Sequence, residues 1–263
     1  MKIRSESLFN QLKSEKFGKS IYSFEEVGST NEIAHELAIN GAPEGTVVIS
    51  DSQTIGKGRL DRKWISPPGK NIYISIIFRP DIEAIDAPFL TLVSSIALAE
   101  TIRNEGTDAF IKWPNDVLID DRKVAGVLTE MTEKGGSVDF IIVGIGVNIN
   151  MTDQDMDKEM GEVAEIATSL RIATGREINR VNMIVNLIEE IEHWYNKYLE
   201  MGKPPIVNEW MERWGAINRR VLAKFNGKEI VGVAIGIDEN GYLMIKKDDG
   251  NVERIVTGDV ILI

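Results

Sequence analysis

Apolar positions recur at two spacings along the chain, and each spacing predicts its own element. Val181, Ile184, Ile188, Ile191, Tyr195 and Tyr198 fall three or four apart and predict a long amphipathic helix over residues 181–199. Ile33, Ala34, Leu37 and Ala38 predict a shorter helix, opened by Ser29-Thr30-Asn31-Glu32 and closed at Gly41. Leu90, Val93, Ile96 (or Ala97) and Ile102 predict a third over residues 87–103, and Pro204-Pro205 opens a fourth that runs through Trp214. Between them, β-branched and alternating runs predict strands at 21–26, 46–50, 71–79, 110–113, 117–119, 123–132 and 137–150. Pro114-Asn115-Asp116 breaks one strand pair, Asp120-Asp121 turns, and Gly135-Gly136 joins another pair. Residues 1–17 predict a short helix or lead-in, and 52–70, rich in glycine, proline and basic groups, a long loop. Residues 151–166 carry six acidic groups against one lysine and predict a solvated loop running into a helix start.

The texture changes after Asn218. Strand-like runs at 221–225, 229–237, 242–246, 252–256 and 259–263 are separated by Asn226-Gly227, Glu239-Asn240-Gly241, Asp248-Asp249-Gly250 and Gly258. Asn-Gly and Asp-Gly are strong hairpin signals, so this segment predicts a small antiparallel barrel. The organisation expected is a helix-and-sheet domain over residues 1–216 and a small β-barrel over 218–263.

Composition narrows the function classes. The chain has 263 residues, 30 basic and 41 acidic, for a net charge of −11. That balance disfavours non-specific nucleic-acid binding, which rests on cations neutralising phosphates, and coating of an anionic membrane. No cysteine is present, which excludes disulfides, thiolate metal sites and cysteine nucleophiles. The N-terminal stretch lacks an apolar core of the kind a signal peptide has, and the most apolar run, 140–147, is far short of the ~20 residues of a membrane helix. The expectation is a cytoplasmic protein with no membrane segment.

Residues 56–64 read Gly-Lys-Gly-Arg-Leu-Asp-Arg-Lys-Trp, four basic groups and one acid, a local +3. Glycines let backbone wrap a ligand, and Arg and Lys bind anionic oxygens, so phosphate or carboxylate binding competes with a merely exposed loop. It is not a Walker loop, since no G-x-x-x-x-G-K-[ST] pattern occurs. Lys112-Trp113-Pro114-Asn115-Asp116 ends a strand on a turn that points a cation, an amide and a carboxylate outward; the alternative is an ordinary Asn-Asp turn. Lys123 with Gly126, and Gly144-Ile145-Gly146-Val147-Asn148, are weaker signals; two glycines in a β-branched run suggest close approach of another group. Ser29, Thr30 and Asn31 are ordinary helix caps taken alone, and Gln53 is unremarkable. His35 and His193 are isolated and make no metal spacing.

Taken in order, these elements resemble the biotin protein ligases. The resemblance rests on Ser29-Thr30-Asn31, the loop 56–64 ending in Trp64, Lys112 to Asp116, Lys123 to Gly126, and Gly144 to Asn148. It departs at Lys57, where the family usually has arginine, and at Asp61, where it has glycine. The resemblance implies an α+β fold: a mixed, mostly antiparallel sheet packed with helices, class II tRNA-synthetase-like, with an SH3-like C-terminal barrel. Some 20 residues precede the first strand, too few for the helix-turn-helix domain of the family's repressors, so a monofunctional ligase is expected.

The resemblance implies a two-step reaction. Biotin is activated with ATP and Mg²⁺ to biotinyl-5′-AMP, and a lysine of a biotin carboxyl carrier protein then takes the biotinyl group. It assigns biotin to Ser29, Thr30, Asn31, Gln53, Gly56, Lys57, Gly58, Arg59, Lys123 and Gly126. ATP falls to Arg59, Arg62, Trp64, Asn115, Lys123 and Asn148, and catalysis to Arg59, Lys112, Asp116 and Lys123, with no protein-ligated metal. A loop 54–66 mobile without ligand is expected, as are no direct DNA contact and a sheet edge compatible with a homodimer. The rivals are a lipoate or octanoate ligase of the same architecture, a non-catalytic biotin or nucleotide sensor, and a structural two-domain protein.

Overall fold

The computed structural model describes residues 3–225 and 227–263; Asn226, placed in a hairpin turn by sequence, lies outside them. In chain order the elements are α1 (Ser5–Phe9), β1 (Ile21–Val27), α2 (Thr30–Ile39), β2 (Val47–Gln53), β3 (Ile72–Phe78), α3 (Phe89–Arg103), β4 (Phe110–Lys112), β5 (Asp116–Ile119), β6 (Arg122–Lys134) and β7 (Ser137–Val147). There follow α4 (Asp153–Met160), α5 (Leu170–Thr174), α6 (Arg180–Met201), α7 (Lys203–Glu212), and β8 (Arg220–Phe225), β9 (Lys228–Ile237), β10 (Leu243–Lys246), β11 (Val252–Ile255) and β12 (Asp259–Leu262). The first seven strands form one sheet in the order β1-β2-β3-β7-β6-β5-β4, parallel only between β1 and β2. The last five form an antiparallel sheet in the order β11-β10-β9-β8-β12, the SH3-like unit.

Both faces of the large sheet are covered, and the strand sequences show it. β3 reads as an apolar run broken only by Ser75, and every one of its residues is buried, as expected for a strand with helices on both sides. On one face α2 sets Ala34 and Ala38 against Val48, Ile77, Phe140 and Ile142. On the other, α3 and α6 pack against each other and the sheet. The segment Ala84–Arg103 is long and apolar enough to cross a membrane by length and composition, yet 72% of its most apolar window is buried inside the protein. α6 starts at Asn179, whose side chain accepts hydrogen bonds from the Val181 and Asn182 amides. Further along, the Glu192 carboxylate accepts the amides of Glu15, Lys16 and Phe17 at 2.6–2.9 Å, which ties the N-terminal lead-in to the core.

The acidic segment differs from its expectation. Residues 153–160 are helix α4, followed by a 3-10 turn, Gly161–Ile166. Thr152 and Asp155 form a reciprocal capping box, at 3.2 and 2.9 Å, and Asp153 and Asp155 sit in the first turn, where the helix dipole favours anions. Hydrogen bonds from Thr152, chiefly its backbone amide, hold Asp155 down at a pKa of about 2. α5 was not expected, since five residues give no periodic signal; Ser169 caps it.

Candidate functional site

Residues 56–64 fold as a tight hairpin on the sheet. Trp64 donates its amide to the Gly56 carbonyl at 2.9 Å, and Gly58 donates to Arg62 at 2.7 Å. Leu60 and Asp61 at the tip have φ of +55° and +58°, both in the left-handed region, as a mirror-image two-residue hairpin turn demands. This gives Asp61 its physical reason: where glycine is lost, aspartate is among the residues that best tolerate that conformation. Leu60 does so with strain and is 64% exposed. Leu60→Asn should therefore slow proteolytic nicking of the hairpin about fivefold, the equivalent of ~1 kcal/mol; unchanged nicking would refute the strain.

The hairpin's cations have protein partners. Lys57 Nζ lies 2.7 Å from Glu32 of α2, a hydrogen bond that raises the lysine's pKa. Arg59 donates to Asn115 Oδ1 and to the Gly258 carbonyl, each at 3.2 Å, and to Thr257 Oγ1 at 3.5 Å; burial lowers its pKa. Arg62 is ion-paired with Asp259. The small sheet and α2 thus supply oxygens to the hairpin's cations.

Below the hairpin, the turn after β4 brings three charges together. Lys123 Nζ is 2.6 Å from Asp116 Oδ1 and 5.2 Å from the centre of the Trp64 ring. Gly126 lies opposite Asp116 in the β5–β6 register, and a Cβ there would stand 3.1 Å from Lys123 Nζ. Lys112 pairs in register with Asp116 across β4–β5, and its ammonium has no hydrogen-bond or ion-pair partner among the described residues. Burial lowers its pKa, opposed mainly by the field of Asp116.

A hydrogen-bonded chain runs along the sheet face from the hairpin to α2. Thr30 donates its amide and hydroxyl to Gln53 Oε1 at 2.8 and 3.1 Å, and Gln53 Nε2 donates to Ser66 Oγ at 3.0 Å. Ser75 Oγ lies 2.8 Å from Thr30 Oγ1 and 2.6 Å from Asn31 Oδ1, and Asn31 Nδ2 donates to Glu130 at 2.6 Å. Ser29 caps α2 with its hydroxyl unpaired among the described residues. The two glycines of β7 have distinct reasons: a side chain at Gly144 would collide with the Asn31 amide, and one at Gly146 with the Trp64 indole. Gly56 likewise leaves room for the Trp64 carbonyl.

Two of the asparagines assigned to nucleotide are engaged with the protein. Asn115 accepts from Arg59 and donates to the Val127 carbonyl at 2.7 Å. Asn148 is buried, donates to the Thr168 carbonyl at 3.1 Å, and accepts from Asn71 at 3.5 Å, bolting β7 to the segment before α5. Sequence reasoning passed over Glu32, Ser66, Ser75, Glu130 and Asp259. Only Ser75, a lone hydroxyl within an apolar strand, carried a local signal. Trp64 Nε1 and Thr168 Oγ1 are buried polar atoms with no partner among the described residues, and Thr168 donates its amide to the Lys123 carbonyl. No cluster of three or more His, Cys, Asp or Glu side chains that could hold a metal ion occurs among the described residues.

A mixed sheet with this cation-lined face, and a small SH3-like sheet reaching over it, define the biotin–lipoate ligase catalytic fold. Residues 23–148 match the model of the biotin/lipoate A/B protein ligase family, and residues 216–263 that of the biotin protein ligase C-terminal domain. The bifunctional ligase/repressor BirA of Bacillus spizizenii is 38% identical over 252 residues, 95% of this chain and 76% of that protein. The biotin–[acetyl-CoA-carboxylase] ligase of Paracoccus denitrificans is 31% identical, over 84% of this chain and 92% of its own length. The structure of the Aquifex aeolicus biotin protein ligase in complex with biotin and ATP superposes with a TM-score of 0.78 at 28% identity, covering 93% of this chain and 100% of that one. The chain belongs to the biotin/lipoate A/B protein ligase family.

Proposed function

We propose that this chain is an ATP-dependent biotin protein ligase that modifies a lysine of a biotin carboxyl carrier protein. The observation that carries the reading is the Lys123–Asp116 pair beside the Trp64 ring at the foot of the cationic hairpin. In the first step a biotin carboxylate oxygen bonds to the α-phosphorus of ATP, and pyrophosphate leaves. Two anions must approach each other, so fixed cations lower the barrier. Lys123 and Lys112 supply charge from the sheet, and Lys57, Arg59 and Arg62 from the hairpin. Trp64, Asn115 and Asn148 frame the nucleotide end, and Mg²⁺ enters with the triphosphate.

In the second step the carrier amine attacks the acyl carbon, AMP leaves, and the amine's proton passes to the Asp116 carboxylate. Ser29, Thr30, Asn31 and Gln53 present donors and acceptors to the ureido head, with Gly56, Gly58 and Gly126 giving close backbone approach. That polar cluster, and the biotin ligases among the relatives, favour biotin over the aliphatic tail of lipoate or octanoate. β6 beyond Val127 pairs with β7 alone. Its open side borders a cleft of about 480 Å³ lined by Ile85, Met131, Tyr242, Val256 and Arg59. We place carrier docking there, and a homodimer would use the same edge. The reading places the enzyme in the cytoplasm, without direct DNA contact.

ATP–pyrophosphate exchange tests it, run with biotin, with lipoate and with no acid. Exchange with biotin alone is expected; exchange only with lipoate would move the chain to the sister activity, and none with either acid would favour the sensor. Arg59 links the hairpin to Asn115 and to the small sheet. Arg59→Gly should therefore still form adenylate but release it roughly tenfold faster, the worth of a lost charged hydrogen bond. Release at the parent rate would sink the clamp role.

A further inference from the structure

We propose that Glu130, to which neither the sequence motifs nor the reaction assigns a part, is the positioning residue that sets the hydrogen-bond polarity of the biotin head pocket. The inference rests on the ligase reading above. Its ground is the direction in which each hydrogen of the buried chain must point. A carboxylate only accepts, so Glu130 turns the Asn31 Nδ2 group toward itself, at 2.6 Å. Asn31 Oδ1 then faces Ser75 Oγ, also at 2.6 Å, and takes the single Ser75 hydrogen. Ser75 has no second hydrogen to give to Thr30 Oγ1, 2.8 Å away. The Thr30 hydrogen instead goes to Gln53 Oε1 or to Ser75 Oγ. In both cases the Thr30 oxygen keeps its two lone pairs. On the ligase reading, that acceptor is the one offered to a ureido N–H of biotin.

Turning Asn31 over would undo this. Its Nδ2 would donate to Ser75, the Ser75 hydrogen would be driven onto Thr30 Oγ1, and one acceptor site would be lost. Asn31 is only 5% exposed and packs directly over Gly144, and Glu130 and Ser75 are the hydrogen-bond partners of its amide among the described residues. Gln53 is fixed independently at the far end. The Trp64 carbonyl accepts from Ser66 Oγ at 3.0 Å, and Ser66 Oγ accepts from Gln53 Nε2. The pocket is therefore polarised from both ends by groups that can only accept. Glu130 itself stands in a polar cleft of about 320 Å³ with Asn31, Glu32, His35, Glu36 and Lys57.

The test is a swap of donor and acceptor. Asn31→Asp is isosteric but sets two carboxylates face to face, and their repulsion moves the new carboxylate off Ser75 and frees the Ser75 hydrogen for Thr30 Oγ1; Glu130→Gln keeps an acceptor oxygen of lower charge, and the double variant restores the pair, with Gln donating to Asp and Asp accepting from Ser75. KM for biotin, KM for ATP and kcat are measured by ATP–pyrophosphate exchange. Asn31→Asp should raise KM for biotin roughly tenfold or more, with KM for ATP and kcat moving far less. Glu130→Gln should raise it about two- to threefold, and the double variant should fall back to about that level. A purely steric role leaves Asn31→Asp near the parent, and a double variant no better than Asn31→Asp removes the pairing; either overturns the inference. Should Asn31→Asp fail to fold by its thermal melt, Glu130→Met carries the test. It takes the acceptor from an exposed position, and an unchanged KM for biotin overturns the proposal. A parent that shows no biotin-dependent exchange overturns the ligase reading and this inference together, whereas a parent that exchanges beside an Asn31→Asp of parental KM overturns the inference alone.

Discussion

Lys123→Met should slow formation of the adenylate by about two to three orders of magnitude, the loss typical of removing one preorganised charge from a developing oxyanion. The position of the ammonium makes the expectation sharp. It stands 2.6 Å from Asp116 and 5.2 Å from the Trp64 ring centre, where the acid and the α-phosphate would meet. Methionine keeps the apolar stem against Gly126 and Trp64, so the variant reports the charge rather than the packing. Lys123→Arg is not expected to rescue. The guanidinium is a planar fork, larger than the compact ammonium that the space above Gly126 admits. The measurement is single-turnover adenylate formation at saturating biotin and ATP, with the thermal melt as a check on folding. A loss below tenfold would remove Lys123 from the first step.

How much of this site the sequence disclosed follows from what each residue needs nearby. Lys112 to Asp116 and Lys123 to Gly126 are close in sequence and lie on the three consecutive antiparallel strands β4, β5 and β6, so their juxtaposition is readable as local order. Gly144 and Gly146 announced a close approach, but only the fold says that the approaching groups are Asn31 and Trp64. The partners that hold the hairpin were out of sight for a plain reason. Asp259 lies 197 residues from Arg62, and, in the hydrogen-bonded chain beside the hairpin, Glu130 lies 99 from Asn31; an acidic residue on a strand or loop gives no sign of which cation or amide it will meet. The same holds for the fold. Strands and long helices showed in their periods, whereas the acidic segment 151–166 did not, because its helix is set by a capping box and by charges at a dipole rather than by an apolar stripe.

Asp116→Ala should separate the two steps that Lys123 joins. A free lysine amine titrates near ~10.4, so at neutral pH only about one acceptor in a thousand is unprotonated. A carboxylate that takes the proton as the amine attacks the acyl carbon contributes of order 10²–10⁴. Adenylate formation needs no such proton transfer. Its dependence on Asp116 runs only through the ion pair at 2.6 Å that holds Lys123 over Gly126, and loss of that hold should cost about tenfold or less. Transfer from preformed adenylate to a carrier, followed by rapid quench, should therefore fall at least tenfold further than single-turnover adenylation. Equal losses in the two assays would mean that Asp116 serves only to place Lys123, and the proton would then have to leave the amine by another route.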